Sequence, residues 1–526
     1  MTTENSGMPL LASIHIFVVS HTNVGKTALV RTLLGKDVGE VEDAPDVTQT
    51  VTPYELVADE AVGSLHLWDT PGFGDSFRLA RRLRRKNRAL AWLVREVWDR
   101  WRNPALWRGQ RLALELRARA SVVLYPVNLL ERPVDAVYVA PELEILAWTG
   151  KPVLVLLNQG SGAAAQGLET ERVGEWRSHL AAFPAVQQVV ALDGYTRCWL
   201  QELGLFHAIG PLLPPSDRDA YRALTSLLGQ GYRDRFEASA AVLVDYLLFL
   251  SADQVEMDHR WLDGLKDAWA GLRARTWGQA GQLTPFEAGM QGLALRYAEK
   301  TKLLTDALIA VNRLDGVSAA EIMEIANEKL AVHKPVDASS SAVAGGVISG
   351  ILAGLGADLM TGGLSLGTGA LIGGVMGAVG AAALAQGYNV YTHKDKKVVR
   401  WSPDSLTEAL AKAAMLYLSI AHFGRGQGPW RRKESPQAWA AAVDAVLGSD
   451  GERLAHLWAQ AAAAPAAPGV HAECAAVVQD LLRNVLLRLY PEAGAVLPLA
   501  GTPTDAAQTL EAPSCRLPLY EGQSTG

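Results

Sequence analysis

Hydrophobic positions in the first two hundred residues come in short runs bounded by polar turns. Residues 13–19 (SIHIFVV) predict a buried strand, and the GKTALVRTLLG that ends at Gly35 predicts the helix after it. A polar stretch follows (39–50), then a strand near 53–58 and a second, SLHLW, running into DTPGF. Further apolar runs stand at 122–127 (VVLYPV), 153–158 (VLVLLN) and 188–192 (QVVAL). Strands alternating with helical stretches predict a mostly parallel sheet with helices on both faces. This α/β unit should span 10–215 and end at the Pro-rich GPLLPPSD.

Beyond it the pattern changes. Residues 216–334 have helical periodicity and few turn signals, 335–392 are rich in Gly and Ala, and 400–493 return to helix. The AAAAPAAPG at 461–469 reads as a linker within that last region, and 494–526 read as a disordered tail. No solenoid repeat is present. A chain of 526 residues is too long for one core, and two to four domains are expected.

Composition adds three points. Hydrophobic residues are 49% and charged residues 20%, which directs attention to a concentrated apolar segment. The net charge of −6 is uneven: residues 78–119 hold fourteen Lys/Arg against three acids, about +11, leaving the remainder near −17. Cys198, Cys474 and Cys515 form neither a disulfide framework nor a metal-ligand spacing, which fits a reduced cytosolic compartment. The N-terminus has no basic segment followed by an apolar core, so no signal peptide is expected.

The candidate chemistry lies at two strand ends. Ser20-His-Thr-Asn-Val-Gly25-Lys26-Thr27 follows a strand and opens a helix at Ala28, the context a phosphate-binding loop requires. There, backbone N–H groups of Ser20, Asn23, Val24, Gly25 and Ala28 and the helix N-terminus would face phosphate oxygens. Lys26 would reach the β- and γ-phosphates, and the Thr27 hydroxyl would bind Mg²⁺. Ser20 stands where the pattern usually begins with Gly. Asp69-Thr-Pro-Gly72 follows another strand, 43 residues beyond Lys26. Asp69 can hold Mg²⁺ through water, and the Gly72 N–H can sense the γ-phosphate.

These residues resemble the Era/MnmE-like branch of the translation-factor-related P-loop GTPases, over roughly residues 13–200. The resemblance implies a GTP/GDP site with Mg²⁺ and places the switch I threonine about 22 positions after the lysine. Thr48 sits there, with Thr50 the alternative. Asn23 matches the asparagine that helps bind K⁺ in the potassium-activated members. Phe73 stands where Ras-like enzymes carry a water-positioning glutamine, so unaided hydrolysis should be slow. The family's Asn-Lys-x-Asp is here Asn158-Gln159-Gly160-Ser161. Asn158 can contact guanine, but losing the aspartate costs about 1–3 kcal/mol of base discrimination. Leu192-Asp193 is a second base-side candidate. The segments LEILAWTGKPVLVLLNQ (143–159) and TRCWLQE (196–202) also look like those of bacterial GTP-binding proteins whose C-terminal half is a domain of unknown function.

The basic stretch 78–120 carries an apolar stripe, Leu79, Leu83, Leu90, Val94, Val97 and Trp101, flanked by arginines. Four partners suit it: an anionic membrane surface, an acidic protein, RNA phosphates, or the chain's own acidic helical region. RNA ranks last, because no KH-type module follows. Residues 338–357 are uncharged, and after Asp358 no charge appears until Lys394. Gly346, Gly350 and Gly354, then Gly369, Gly373 and Gly377, recur every fourth residue, which lets helices pack closely in lipid. A membrane-inserting helical hairpin is expected there, with a tightly packed soluble hairpin as the alternative.

The chain is therefore expected to be a membrane-associated GTPase switch on the cytoplasmic face of the inner membrane, or else cytoplasmic. The alternatives are a nucleotide-dependent scaffold or sensor that scarcely hydrolyses GTP, and a dynamin- or septin-like remodelling GTPase, since DTPGFGD also resembles the septin motif. Nucleotide-dependent self-association and an unidentified protein partner belong to the same expectation.

Overall fold

Seven-residue runs such as ASIHIFV are too short for a stable helix and rich in β-branched residues, and they pair into one sheet. In a computed structural model, residues 11–21, 26–35, 51–84, 103–158, 166–191, 198–257, 285–312, 388–393, 396–422, 437–464 and 467–491 are described. The sheet contains β1 (Ala12–Val18), β2 (Thr52–Asp59), β3 (Gly63–Asp69), β4 (Val122–Asn128), β5 (Val153–Asn158) and β6 (Val186–Ala191), in spatial order β2-β3-β1-β4-β5-β6. All neighbours are parallel except β2, which runs antiparallel to β3. Parallel pairs need crossovers, and the helices that follow the strands are α1 (Lys26–Leu34), α2 (Ser76–Arg84), α3 (Pro104–Arg119), α4 (Val139–Thr149), α5 (Gln166–Leu180) and α6 (Trp199–Ile209).

The period of two along β1 decides which helix meets which face. Ile14, Ile16 and Val18 pack with α1 and α6, while Phe17 and Val19 pack with α2, α3, α4 and α5. β4 is buried along all but its last residue and β5 along its whole length, as parallel strands covered on both faces must be. Gly63 holds φ +130°, and a Cβ there would come 1.9 Å from the Ala12 carbonyl oxygen, so only glycine lets the β2–β3 turn lie against β1. The expected α/β architecture is thus present.

The described parts of the basic stretch, α2 and α3, belong to the sheet's own helical layer. Leu79 and Ala80 of α2 and Leu106, Leu112, Ala113 and Leu116 of α3 are core residues beside α4. Leu83 packs partly buried on the same core, and Leu90, Val94, Val97 and Trp101 lie outside the described residues. The expected boundary at 215 is a helix start. Helix α7 (Pro215–Ala252) starts there but runs through both cores, with Tyr221 and Leu224 under the sheet and Tyr232, Phe236, Leu243 and Leu247 in the helical core. Helix α6 does the same in miniature, with Phe206 and Ile209 on one side and Trp199 and Leu203 on the other.

The second core joins α7 to α8 (Pro285–Val311), α9 (Pro403–Ala421), α10 (Gln437–Ser449), α11 (Gly451–Ala463) and α12 (Pro468–Leu489). Pro403 at the first turn and Ser402, whose hydroxyl accepts from the Ser405 N–H, fix where α9 begins. A three-stranded antiparallel sheet, in order β7 (Gln254–Met257), β9 (Lys396–Trp401), β8 (Tyr388–His393), closes one side of this region. Residues 388–392 are therefore strand, where a helical hairpin was expected, and the rest of that hairpin, 335–387, lies outside the described residues. The expected linker at 461–469 is mostly helix: α11 runs to Ala463 and α12 starts at Pro468. The tail 494–526 lies outside the described residues. Among the described residues no helix is long and apolar enough to cross a membrane.

Candidate functional site

Register puts the ends of β1, β3, β4 and β5 on one edge: Val18 pairs with Asp69, and Asn128 with Asn158. A parallel sheet offers its ligand this C-terminal edge, because the loops leaving it turn into helix N-termini. Ser20, fully buried, leaves β1, and Lys26 opens α1 only 8% exposed. The Lys26 ammonium donates to the carbonyls of Ser20 (3.2 Å) and His21 (2.9 Å), so it is folded back along the loop. Thr27 donates its hydroxyl to Asp69 Oδ2 at 3.1 Å, across 42 residues of chain. Thr70 donates to the Val18 carbonyl at 2.8 Å and ties the loop after β3 to β1.

Asp69 is 3% exposed, and its second oxygen, Oδ1, is buried without a hydrogen-bond partner among the described residues. Burial pushes its carboxyl pKa up, against the opposing effects of the Thr27 hydroxyl and the Lys26 charge. An orphaned carboxylate oxygen beside a threonine hydroxyl is the donor set a hard cation takes, and it fits Mg²⁺. Among the described residues no cluster of three or more His, Cys, Asp or Glu competes as a metal site.

Asn158 closes β5 at 4% exposed, and its carbonyl accepts from the Leu129 N–H at 2.8 Å. Gly72 follows Asp69 in the 70–75 loop. Phe73 points into the core, 0% exposed, and its carbonyl would lie 2.5 Å from a Cβ on Gly109 of α3. The structure thus brings Ser20, Lys26, Thr27 and Asp69 together and sets Gly72 and Asn158 on the same edge. Ala28 lies in the first turn of α1. Asn23, Val24, Gly25, Thr48, Thr50, Gln159, Leu192 and Asp193 lie outside the described residues.

Sequence reasoning missed one group. His21, the second residue of the loop, sets its Nδ1 3.0 Å from Glu142 Oε1 and stacks on Tyr138 with ring centroids 4.2 Å apart. No spacing rule connects residues 121 apart. The one local signal was an acid inside the apolar PELEILAW of α4.

Residues 15–159 match a family model described as "50S ribosome-binding GTPase". The N-terminal unit, a mostly parallel six-stranded α/β sheet, is of the kind typical of P-loop GTPases. Residues 335–481 match a second model, "Domain of unknown function (DUF3482)". The first match supports a GTP-binding protein, and the structure gives it a mainly helical C-terminal region. No curated protein matches the chain. Solved structures resemble it loosely. Era in complex with MgGDPNP and a segment of 16S ribosomal RNA is 18% identical, TM-score 0.28, over 39% of this chain and 58% of that one. An Era variant from Aquifex aeolicus bound to GDP·AlF4⁻ is likewise 18% identical, TM-score 0.27, over the same shares. One of an oligomerised bacterial dynamin pair is 11% identical, TM-score 0.24, over 90% of this chain and 77% of that one. The chain thus spans 58% of the length of either Era structure.

Proposed function

We propose that the protein is a Mg²⁺-dependent GTPase that hydrolyses GTP to GDP and phosphate and works as a switch at a membrane surface. The observation that carries this reading is the Thr27–Asp69 hydrogen bond with the second Asp69 oxygen left open, beside the Lys26 ammonium, at the edge where β1 and β3 end. Thr27 and Asp69 would hold Mg²⁺, which when bound screens charge on the β- and γ-phosphates. Lys26, released from the Ser20 and His21 carbonyls, would pair with the same oxygens and stabilise charge as the bond between γ-phosphorus and bridging oxygen breaks. The Gly72 N–H would report the γ-phosphate. Asn158 would hold the guanine edge.

Burial of Phe73 favours a second reading, in which nucleotide is bound and scarcely hydrolysed. A phenylalanine has no group to orient water, so in this reading hydrolysis would need K⁺ held with the help of Asn23, a partner, or a second copy of the chain. Membrane attachment is proposed through 338–387, and lipid or protein contact through the exposed arginines of α2 and α3, with the nucleotide site on the cytoplasmic side. Titration of the purified chain with GDP, GTP and ATP, followed by single-turnover hydrolysis, tests the proposal. Preference for guanine with slow Mg²⁺-dependent turnover is expected. Equal affinity for ATP and GTP defeats the guanine assignment, and bound GTP that stays intact moves the protein to the second reading.

A further inference from the structure

Two carbonyls, those of Ser20 and His21, hold the Lys26 ammonium, so the position of His21 is also the position of the lysine's resting contacts. The Ser20 hydroxyl donates to that same His21 carbonyl at 3.0 Å. The loop start would be soft if nothing held the His21 side chain, yet two residues at the start of α4 do. Its ring stacks on Tyr138 at an interplanar angle of 16°, and its Nδ1 meets Glu142 at 3.0 Å. Glu142 is 0% exposed on the first turn of α4, and its other oxygen accepts from the Tyr125 hydroxyl of β4 at 2.7 Å. Tyr138 in turn donates to Glu131 at 2.8 Å, and the Trp176 indole donates to the Glu131 carbonyl at 3.1 Å.

A carboxylate with no access to water is costly unless its oxygens are satisfied. Here each oxygen has one partner, a core tyrosine behind and a phosphate-loop histidine in front. A rigid α4–β4 base therefore reaches forward to one residue of the loop. Helix α4 is also tied to α2, since Arg84 pairs with Glu144 across 60 residues of chain.

We infer that Glu142 is a positioning residue that acts through His21, fixing the start of the phosphate loop and so the placement of Lys26 against the nucleotide's β-phosphate. It touches neither nucleotide nor Mg²⁺. The inference rests on the GTP-binding reading and predicts a signature that general destabilisation lacks: the loss falls on the phosphate end of the ligand and leaves base preference alone. Loop misplacement of this kind costs about tenfold in affinity for nucleotides that carry a β-phosphate.

The experiment measures binding of GDP, GTP, GMP and ATP with Mg²⁺ to the full chain, to Glu142→Gln, to His21→Ala and to the double variant. The His21 side chain is 38% exposed, so its truncation keeps the test open if the buried substitution does not fold. Each single variant should weaken GDP about tenfold, change GMP little and keep the GTP-over-ATP ratio. The double variant should be no weaker than His21→Ala alone, because that truncation already removes the contact through which Glu142 acts. Unchanged GDP affinity in both singles overturns the inference, as do additive losses in the double variant or equal losses for GMP and GDP. If the unmodified chain binds no guanine nucleotide, the GTP-binding reading has failed instead.

Discussion

The two cores bury polar groups to different ends. In the sheet domain Ser20, Lys26, Asp69 and Asn158 are buried at the ends of strands or at a helix start, on one edge, and Asp69 keeps an oxygen free. In the helical core several buried polar groups pair with one another: Tyr232 donates to Glu202, Tyr246 meets Thr301 at 3.1 Å, Trp458 donates to Thr407 at 2.9 Å, and Lys412 pairs with Glu408 at 2.7 Å, while His422 Nε2 and Arg483 Nε are buried with no hydrogen-bond partner among the described residues. What sets the sheet edge apart is that its open carboxylate oxygen stands beside a threonine hydroxyl and a lysine ammonium. In the proposed function the sheet domain carries the chemistry. Helices α6 and α7, shared by both cores, are the elements that join the helical region to it.

The sharpest way to break this comparison is at the lysine. Lys26→Ala should weaken GDP binding about a thousandfold, roughly 4 kcal/mol, with the ligand-free unfolding midpoint unchanged. A lowered midpoint would make Lys26 a packing residue. In the helical core the effects should reverse. Leu243, fully buried on α7, should cost about 3 kcal/mol when truncated to Ala, with GDP affinity unchanged while the protein stays folded. Because α7 spans both cores, thermal unfolding should remain one transition, and two resolved transitions would show that the cores are uncoupled.

Acid should separate the regions next. His422 ends α9 fully enclosed, its Nδ1 donating to the Leu418 carbonyl, and burial pushes its pKa down from 6.5 to about 4. The unfolded chain then takes up the proton first, so the contribution is complete above about pH 6.5 and is lost as pH falls towards 4, up to about 3 kcal/mol. Denaturant titrations at pH 7 and pH 5 should show this slope, and His422→Phe should flatten it. Gly109→Ala should follow, costing about 2 kcal/mol as the new methyl meets the Phe73 carbonyl, with GTP affinity changed more than GDP affinity because the loop after Asp69 must shift. Equal changes would detach α3 from nucleotide sensing. The smallest effect expected is a roughly threefold faster hydrolysis in K⁺ than in Na⁺, abolished by Asn23→Ala. Cation-indifferent rates would remove Asn23 from the reaction.

Much of the site was legible because a phosphate loop is a local device. Strand, turn and helix start are all written within Ile14–Leu34, and Asp69 ends the strand beside it. The sheet was legible for the same reason, since period two and uniform burial are local signals. The helical core was not, because its α8 and α9 meet across most of a hundred residues that carry no pairing signal.

What the sequence by itself determined is the six strands of the N-terminal sheet, the lysine and threonine of the loop, and the aspartate at a strand end. Only tertiary structure decided that Thr27 bonds Asp69, that α2 and α3 cover the sheet, that α7 runs through both cores, and that a buried Glu142 grips His21. Short-range steric and hydrogen-bonding preferences fix the first set within a few residues. The second depends on which distant surfaces exclude water together, and that has no local code.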